Sequence, residues 1–146
     1  MRRAVFANAS SMLLGMILAT PTHVALAQSE GSPSPRVVST EGAPKANGPY
    51  AQGVVAGGFL FTAGQVARDP ATSKLVEGDI AVQTNRVLDN LEAILKAGGC
   101  RLADVVKATV FLTDLGDFDK MNEAYAKRFG ETRPARSTVQ VAKLPG

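Results

Sequence analysis

Between residues 105 and 142 the chain changes its hydrophobic period twice. VVKATVFL at 105–112 alternates, with Val106, Ala108, Val110 and Leu112 on one side and Lys107 and Thr109 on the other. Phe118, Met121, Tyr125 and Phe129 then recur at helical spacing, with Asp117 placed to cap the start and Gly130 to end the run. From Arg136 to Ala142 the period returns to two: Ser137, Val139 and Val141 share one side, Arg136, Thr138 and Gln140 the other. A strand, a helix and a strand in that order are expected to close as a right-handed crossover, strands parallel and helix on one face.

Upstream, Gln52–Ala56 and Phe59–Ala63 flank Gly57-Gly58, which predicts a hairpin. Residues 64–77 read as a loop. A helix is expected over about 79–97, with Ile80, Val87, Leu88, Leu91, Ile94 and Leu95 forming its apolar stripe, Asp79 its cap and Gly98-Gly99 its stop. The order β-β-α-β-α-β predicts an α+β fold: one mixed sheet with both helices on one face. The opposite face then carries apolar surface that no helix covers, and a symmetric oligomer is the expected cover. Lys143-Leu-Pro-Gly146 looks like a turn into a further element, so either the sequence as given is expected to be incomplete or the protein lacks an element its pattern anticipates.

The N-terminus reads as an address. Arg2-Arg3 precede an uncharged stretch, Ala4 to Ser29, whose core is the eight mostly apolar residues 12–19; Ala25-Leu-Ala27 supplies a small-x-small cleavage pattern. The core is far short of the ~20 residues of a membrane-spanning helix. Residues 1–27 are therefore expected to be a secretory signal peptide, 28–39 a flexible Ser/Pro-rich linker and 40–146 the folded domain. The mature protein is expected in the periplasm or secreted, with no stable membrane insertion, or in the cytoplasm if the signal is unused.

This leader changes the chemical inventory. The net charge of +3 includes Arg2 and Arg3; without them 14 basic face 13 acidic side chains, so no nucleic-acid partner is expected. The one histidine, His23, also lies in the leader. The body has no histidine base and no Ser-His-Asp or Cys-His arrangement, and the usual His/Cys transition-metal site is excluded. Cys100, beside Arg101, is a weak nucleophile without a histidine partner. Lys127, Arg128, Arg133, Arg136 and Lys143 form a mildly basic cluster with few aromatics interleaved.

Four residues stand out as candidates. Arg136 opens a strand behind Pro134, placed either to grip a carboxylate at two points or to sit in a surface salt bridge. Tyr50 follows the turn Asn47-Gly48-Pro49 and either lines a pocket or is a half-buried structural tyrosine. Gly64 ends a strand where a backbone can approach a ligand, with the Gln65 amide next to it. Asn122 on the second helix points into a neighbouring site or into solvent.

Five strings, Gly48-Pro-Tyr50, Phe61-Thr-Ala-Gly-Gln65, Val106 through Asp114, Phe118 through Asn122, and Pro134-Ala-Arg-Ser through Ala142, resemble in order and spacing the Rid family of reactive intermediate deaminases, also called YjgF-like. The resemblance covers nearly all of 40–146 and implies a chorismate-mutase-like fold, a homotrimer with three clefts between subunits, and hydrolysis of enamines and imines such as 2-aminoacrylate to a 2-keto acid and ammonia. It implies no cofactor and no metal. It casts Arg136 as the carboxylate-binding arginine, Tyr50 as the pocket tyrosine, Gly64 as the backbone contact beside it and Asn122 as the cleft asparagine. Ala63 departs from the serine of many deaminase members, and the family's last-strand glutamate has no counterpart before Gly146. A non-catalytic trimer that holds small carboxylates in the same clefts is the alternative; an RNA-acting protein is a third reading.

Overall fold

The computed structural model describes residues 34–145. The expected signal peptide at 1–27 and the first part of the expected linker lie outside the described residues.

Three short strands, β1 (Arg36–Val38), β2 (Gly53–Ala56) and β3 (Phe59–Thr62), form an antiparallel sheet in the order β1-β2-β3. Gly57 and Gly58 turn the β2–β3 hairpin with φ of 56° and 79°. Both are positive, as a tight two-residue hairpin turn demands, and only glycine takes up such values freely. α1 (Ile80–Ala97) begins at Asp79, whose carboxylate accepts from the Val82 amide at 3.0 Å. β4 (Lys107–Leu112), α2 (Phe118–Phe129) and β5 (Ala135–Gln140) follow. β4 and β5 run parallel in register from Lys107–Ala135 to Leu112–Gln140, the expected crossover.

Three expectations need correction. Arg36–Val38 falls inside the expected linker, yet it is a strand paired with Gly53–Val55. Val38 is buried with Ala43 and Ile94, and three residues are too few for a period to show in sequence. The strands form two sheets, antiparallel and parallel, with no ladder joining them among the described residues. The β3–α1–β4 connection thus returns without pairing its two strands. Finally, Asp117 makes no side-chain cap on α2. Asp114 caps instead, accepting from the Gly116 amide at 2.8 Å to open a 3-10 turn over Leu115–Asp117 that runs straight into the helix.

Both helices lie against the inward-facing sides of the strands. Val38, Val55 and Leu60 pack on Ile94, which is fully buried. β2 passes close to α1 at Gly53, where a Cβ would lie 3.1 Å from the Ile94 side chain. On the parallel pair, Leu112 is buried while Ala108, Val110, Arg136 and Thr138 are half-buried. The outward side carries Val37, Phe59 and Phe61 on the antiparallel sheet and Phe111 and Val139 on the parallel one, all exposed. Phe61 is 62% and Phe111 51% accessible, an apolar face of the kind that marks an interaction surface.

Two buried amides fasten loops to this frame. Gln52 donates to the carbonyls of Thr40, Ala43 and Pro44 and accepts from the Thr40 amide at 2.6 Å. Asn90, fully buried on α1, donates to the carbonyls of Val66 and Arg68 and so pins the 64–77 loop. Between the helices, Arg128 bridges Asp89 at 2.6 Å and Glu92 at 2.9 Å, and Lys96 completes the cluster on Glu92.

Gln52→Leu removes every partner from the Thr40 amide and weakens the cover over Ala43; about 1–3 kcal/mol of stability should be lost in urea denaturation, the range for a stranded buried polar group. The Lys96 ammonium, with Arg128, holds the Glu92 carboxyl below its ordinary value of 4.5. A lowered folded-state pKa stabilises fully above the unfolded value and is lost as pH falls through the folded one. This cluster should therefore lose stability below about pH 4.5, and Lys96→Ala should flatten that part of a stability–pH curve more than Arg128→Ala does.

Candidate functional site around Arg136

β5 places Arg136 on its inward side, beneath α2, because residues 136 and 138 face the helices while Ser137 and Val139 face out. A guanidinium in that layer needs partners, and α2 supplies them one turn apart. Asn122 Oδ1 accepts from Arg136 Nη2 at 2.5 Å. The Tyr125 ring lies 4.7 Å from the Arg136 Cζ, and Phe118 is 5.9 Å away. Positions 118, 122 and 125 share one helix face, which is why a single side chain touches all three. Phe129 stacks behind Tyr125 at 4.3 Å between centroids.

Electrostatically, no carboxylate pairs with Arg136 among the described residues, whereas Arg101 is paired with Asp104 and Arg128 with Asp89 and Glu92. Among the described residues the salt-bridge reading of Arg136 finds no partner. Burial raises the Tyr125 phenol above its ordinary 10.0, partly offset by the Arg136 charge, so Tyr125 stays neutral at physiological pH.

The other two candidates sit elsewhere. Tyr50 is half exposed and donates its hydroxyl to Asn47 Oδ1 at 2.9 Å. Gly64 follows β3, with open space where a Cβ would lie. Among the described residues neither is hydrogen-bonded to Arg136 or Asn122. Of the four candidates, the chain joins Arg136 to Asn122, while Tyr50 is hydrogen-bonded to Asn47 and Gly64 has no neighbour where a Cβ would lie.

The basic cluster is not a surface patch, because Arg128 is spent on α1 and Arg136 is turned inward. A concavity of about 540 Å³ is lined by Glu92, Lys96, Arg101 and Arg128 and contains none of the four candidates. Among the described residues no group of three His, Cys, Asp or Glu side chains is placed to hold a metal, and no helix is long and apolar enough to cross a membrane. Sequence reading missed Tyr125 as a site residue, having placed it in the core stripe. The signal was its spacing of three from Asn122 on one helix face.

Two helices over antiparallel and parallel strands, with an arginine held on the helix-facing side, define a small two-layer α+β protein. Residues 40–146 match the family described as Endoribonuclease L-PSP, and the chain belongs to that family, the one its motifs resemble. It is 56% identical over 109 residues to a RutC family protein of Pyrococcus horikoshii, covering 75% of this chain and 86% of that one. It is 44% identical over 110 residues to the human 2-iminobutanoate/2-iminopropanoate deaminase, covering 75% and 80%. The crystal structure of E. coli TdcF with bound serine superposes with a TM-score of 0.72 at 43% identity, covering 75% of this chain and 88% of that one.

Asn122→Ala removes the acceptor that fixes one edge of the guanidinium. The loss of a hydrogen bond to a charged group should cost about 1.5–3 kcal/mol at this position. Crystallography should show the Arg136 side chain turned from its present direction.

Proposed function

We propose that the protein hydrolyses reactive 2-enamino and 2-imino acids of the 2-aminoacrylate type to 2-keto acids and ammonia. The observation that carries this reading is Arg136: a planar, half-buried cation with no carboxylate partner among the described residues, anchored by Asn122 and stacked on Tyr125. Such a group is built to take an external carboxylate. The deaminase relative and the serine held by TdcF support a small amino-acid-like ligand.

Arg136 binds the substrate carboxylate and fixes the adjacent carbon. The terminal enamine carbon takes a proton from water through its C=C pair, the nitrogen lone pair closes the C=N bond, and an N–H proton returns to water to give the imine. Water then adds to the imine carbon, and the carbinolamine expels ammonia to leave the 2-keto acid. An imine is already electrophilic, so orientation and modest charge stabilisation supply the acceleration. This chemistry calls for neither cofactor nor metal. Tyr50 donates a hydrogen bond at the site and Gly64 offers backbone contact. We assign them to a second copy; the absence of any hydrogen bond from either to Arg136 or Asn122 among the described residues supports this. The exposed face of Val37, Phe59, Phe61, Phe111 and Val139 supports association of copies, as a homotrimer with three clefts. We place the mature protein outside the cytoplasm, on the leader's pattern; N-terminal sequencing of the periplasmic fraction should begin at Gln28.

The test is ammonia and 2-keto acid release from 2-aminoacrylate generated in situ. Arg136→Ala should lower kcat/KM roughly 100-fold or more, the worth of a lost charge-assisted pair. Undiminished turnover by Arg136→Ala would overturn the reading. Pyruvate binding without turnover would make the protein a carboxylate-binding module, and RNA cleavage independent of Arg136 would favour the activity in the family's description.

A further inference from the structure

We propose that Tyr125 is a positioning residue for Arg136, and that it works through its ring face and not through its hydroxyl. This rests on the reading of Arg136 as the carboxylate clamp.

Two observations separate ring from hydroxyl. The Arg136 Cζ lies 4.7 Å from the Tyr125 centroid, inside the range where an aromatic face attracts a cation. The Tyr125 hydroxyl, in contrast, is buried with no hydrogen-bond partner among the described residues. A buried hydroxyl without a partner contributes nothing to holding the site and costs stability. The ring itself is fixed from behind by Phe129, 4.3 Å away and nearly parallel. Phe129, Tyr125 and Arg136 thus form a stack anchored in the α2 core, since Phe129 is buried.

Stacking and hydrogen bonding divide the work on Arg136. Asn122 holds one Nη2 proton and sets rotation within the guanidinium plane. Tyr125 sets the plane itself. With the plane fixed, the remaining N–H groups lie along the edge of the ring stack, where two parallel bonds to a carboxylate need them. Phe118, at 5.9 Å, adds a weaker second aromatic contact. A carboxylate bound by this fork is read for planarity and direction. The substrate class favoured is one whose carboxylate is coplanar with an adjacent C=N or C=C bond, because a fixed guanidinium plane then also fixes the plane of the reacting carbon.

The test compares the full-length protein with three versions of position 125: Tyr125→Phe, Tyr125→Leu, and pentafluorophenylalanine, which keeps the ring's shape but reverses the charge of its face. The readouts are thermal midpoint, pyruvate affinity by calorimetry, KM and kcat for 2-aminoacrylate, and rotation of the Arg136 guanidinium by nitrogen NMR. Tyr125→Phe should keep affinity and KM and melt at the same or a higher temperature. Pentafluorophenylalanine should melt close to Tyr125→Phe, weaken pyruvate binding and raise KM roughly 3- to 30-fold, leave kcat within about 2-fold, and speed guanidinium rotation. Tyr125→Leu should behave likewise if it folds; the fluorinated ring decides the matter if it does not. Equal guanidinium rotation with phenylalanine and its fluorinated form, or a large loss on Tyr125→Phe, would overturn the proposal. Wild-type protein that binds no pyruvate and turns over no imine would instead overturn the clamp, while the NMR comparison still decides the role of the ring.

Discussion

Arg136 sits on the side of β5 where a core residue belongs. An amphipathic strand against a helix turns its apolar residues inward. Here Arg136 and Thr138 face α2, and Ser137 and Val139 face away. The inversion makes α2 answer for a charge, and its inward face is composed accordingly, with Asn122 as an acceptor, Tyr125 and Phe118 as aromatic surfaces and Phe129 as backing. A guanidinium tolerates this environment better than an ammonium would, because it is planar, weakly hydrated and able to stack. The same inversion pushes Val139 to the outer face, beside its register partner Phe111. One strand phase therefore produces both the site and the exposed apolar face.

The remaining structure holds that strand in place. β4 fixes its register, the 3-10 turn at Leu115–Asp117 aims α2 across it, and the ion pairs of Arg128 join α2 to α1. α1 in turn covers the antiparallel sheet through Ile94 and pins the 64–77 loop through Asn90. Tyr50 precedes β2 and Gly64 follows β3, and among the described residues neither is hydrogen-bonded to Arg136.

Much of the fold was legible because it rests on long periodic runs. α1 and α2 appear at their expected places, with Asp79 capping the first as its sequence position implies. The parallel β4–β5 crossover follows from strand–helix–strand order alone. β1 was not legible, since a three-residue strand beside a Ser/Pro-rich stretch has no period and gains its place from pairing with β2. The division into two sheets was equally hidden, because sequence order says which strands follow a helix and not which ladders close. In the site, Arg136 and Asn122 were legible as candidates through their motifs, and the structure joins them. Tyr125 was read as core because an aromatic at helical spacing normally is one. Gln52 and Asn90 gave no sequence signal at all; their value comes from backbone carbonyls brought to them by the fold.

The most direct measurement is a crystal structure of the protein with pyruvate. The account predicts the pyruvate carboxylate on the free edge of the Arg136 guanidinium, with Asn122 and Tyr125 in their present contacts. It predicts Tyr50 and the Gly64 backbone of an adjoining copy on the other side of the ligand. Pyruvate bound away from Arg136, or Arg136 neutralised by a carboxylate of a neighbouring copy, would contradict it.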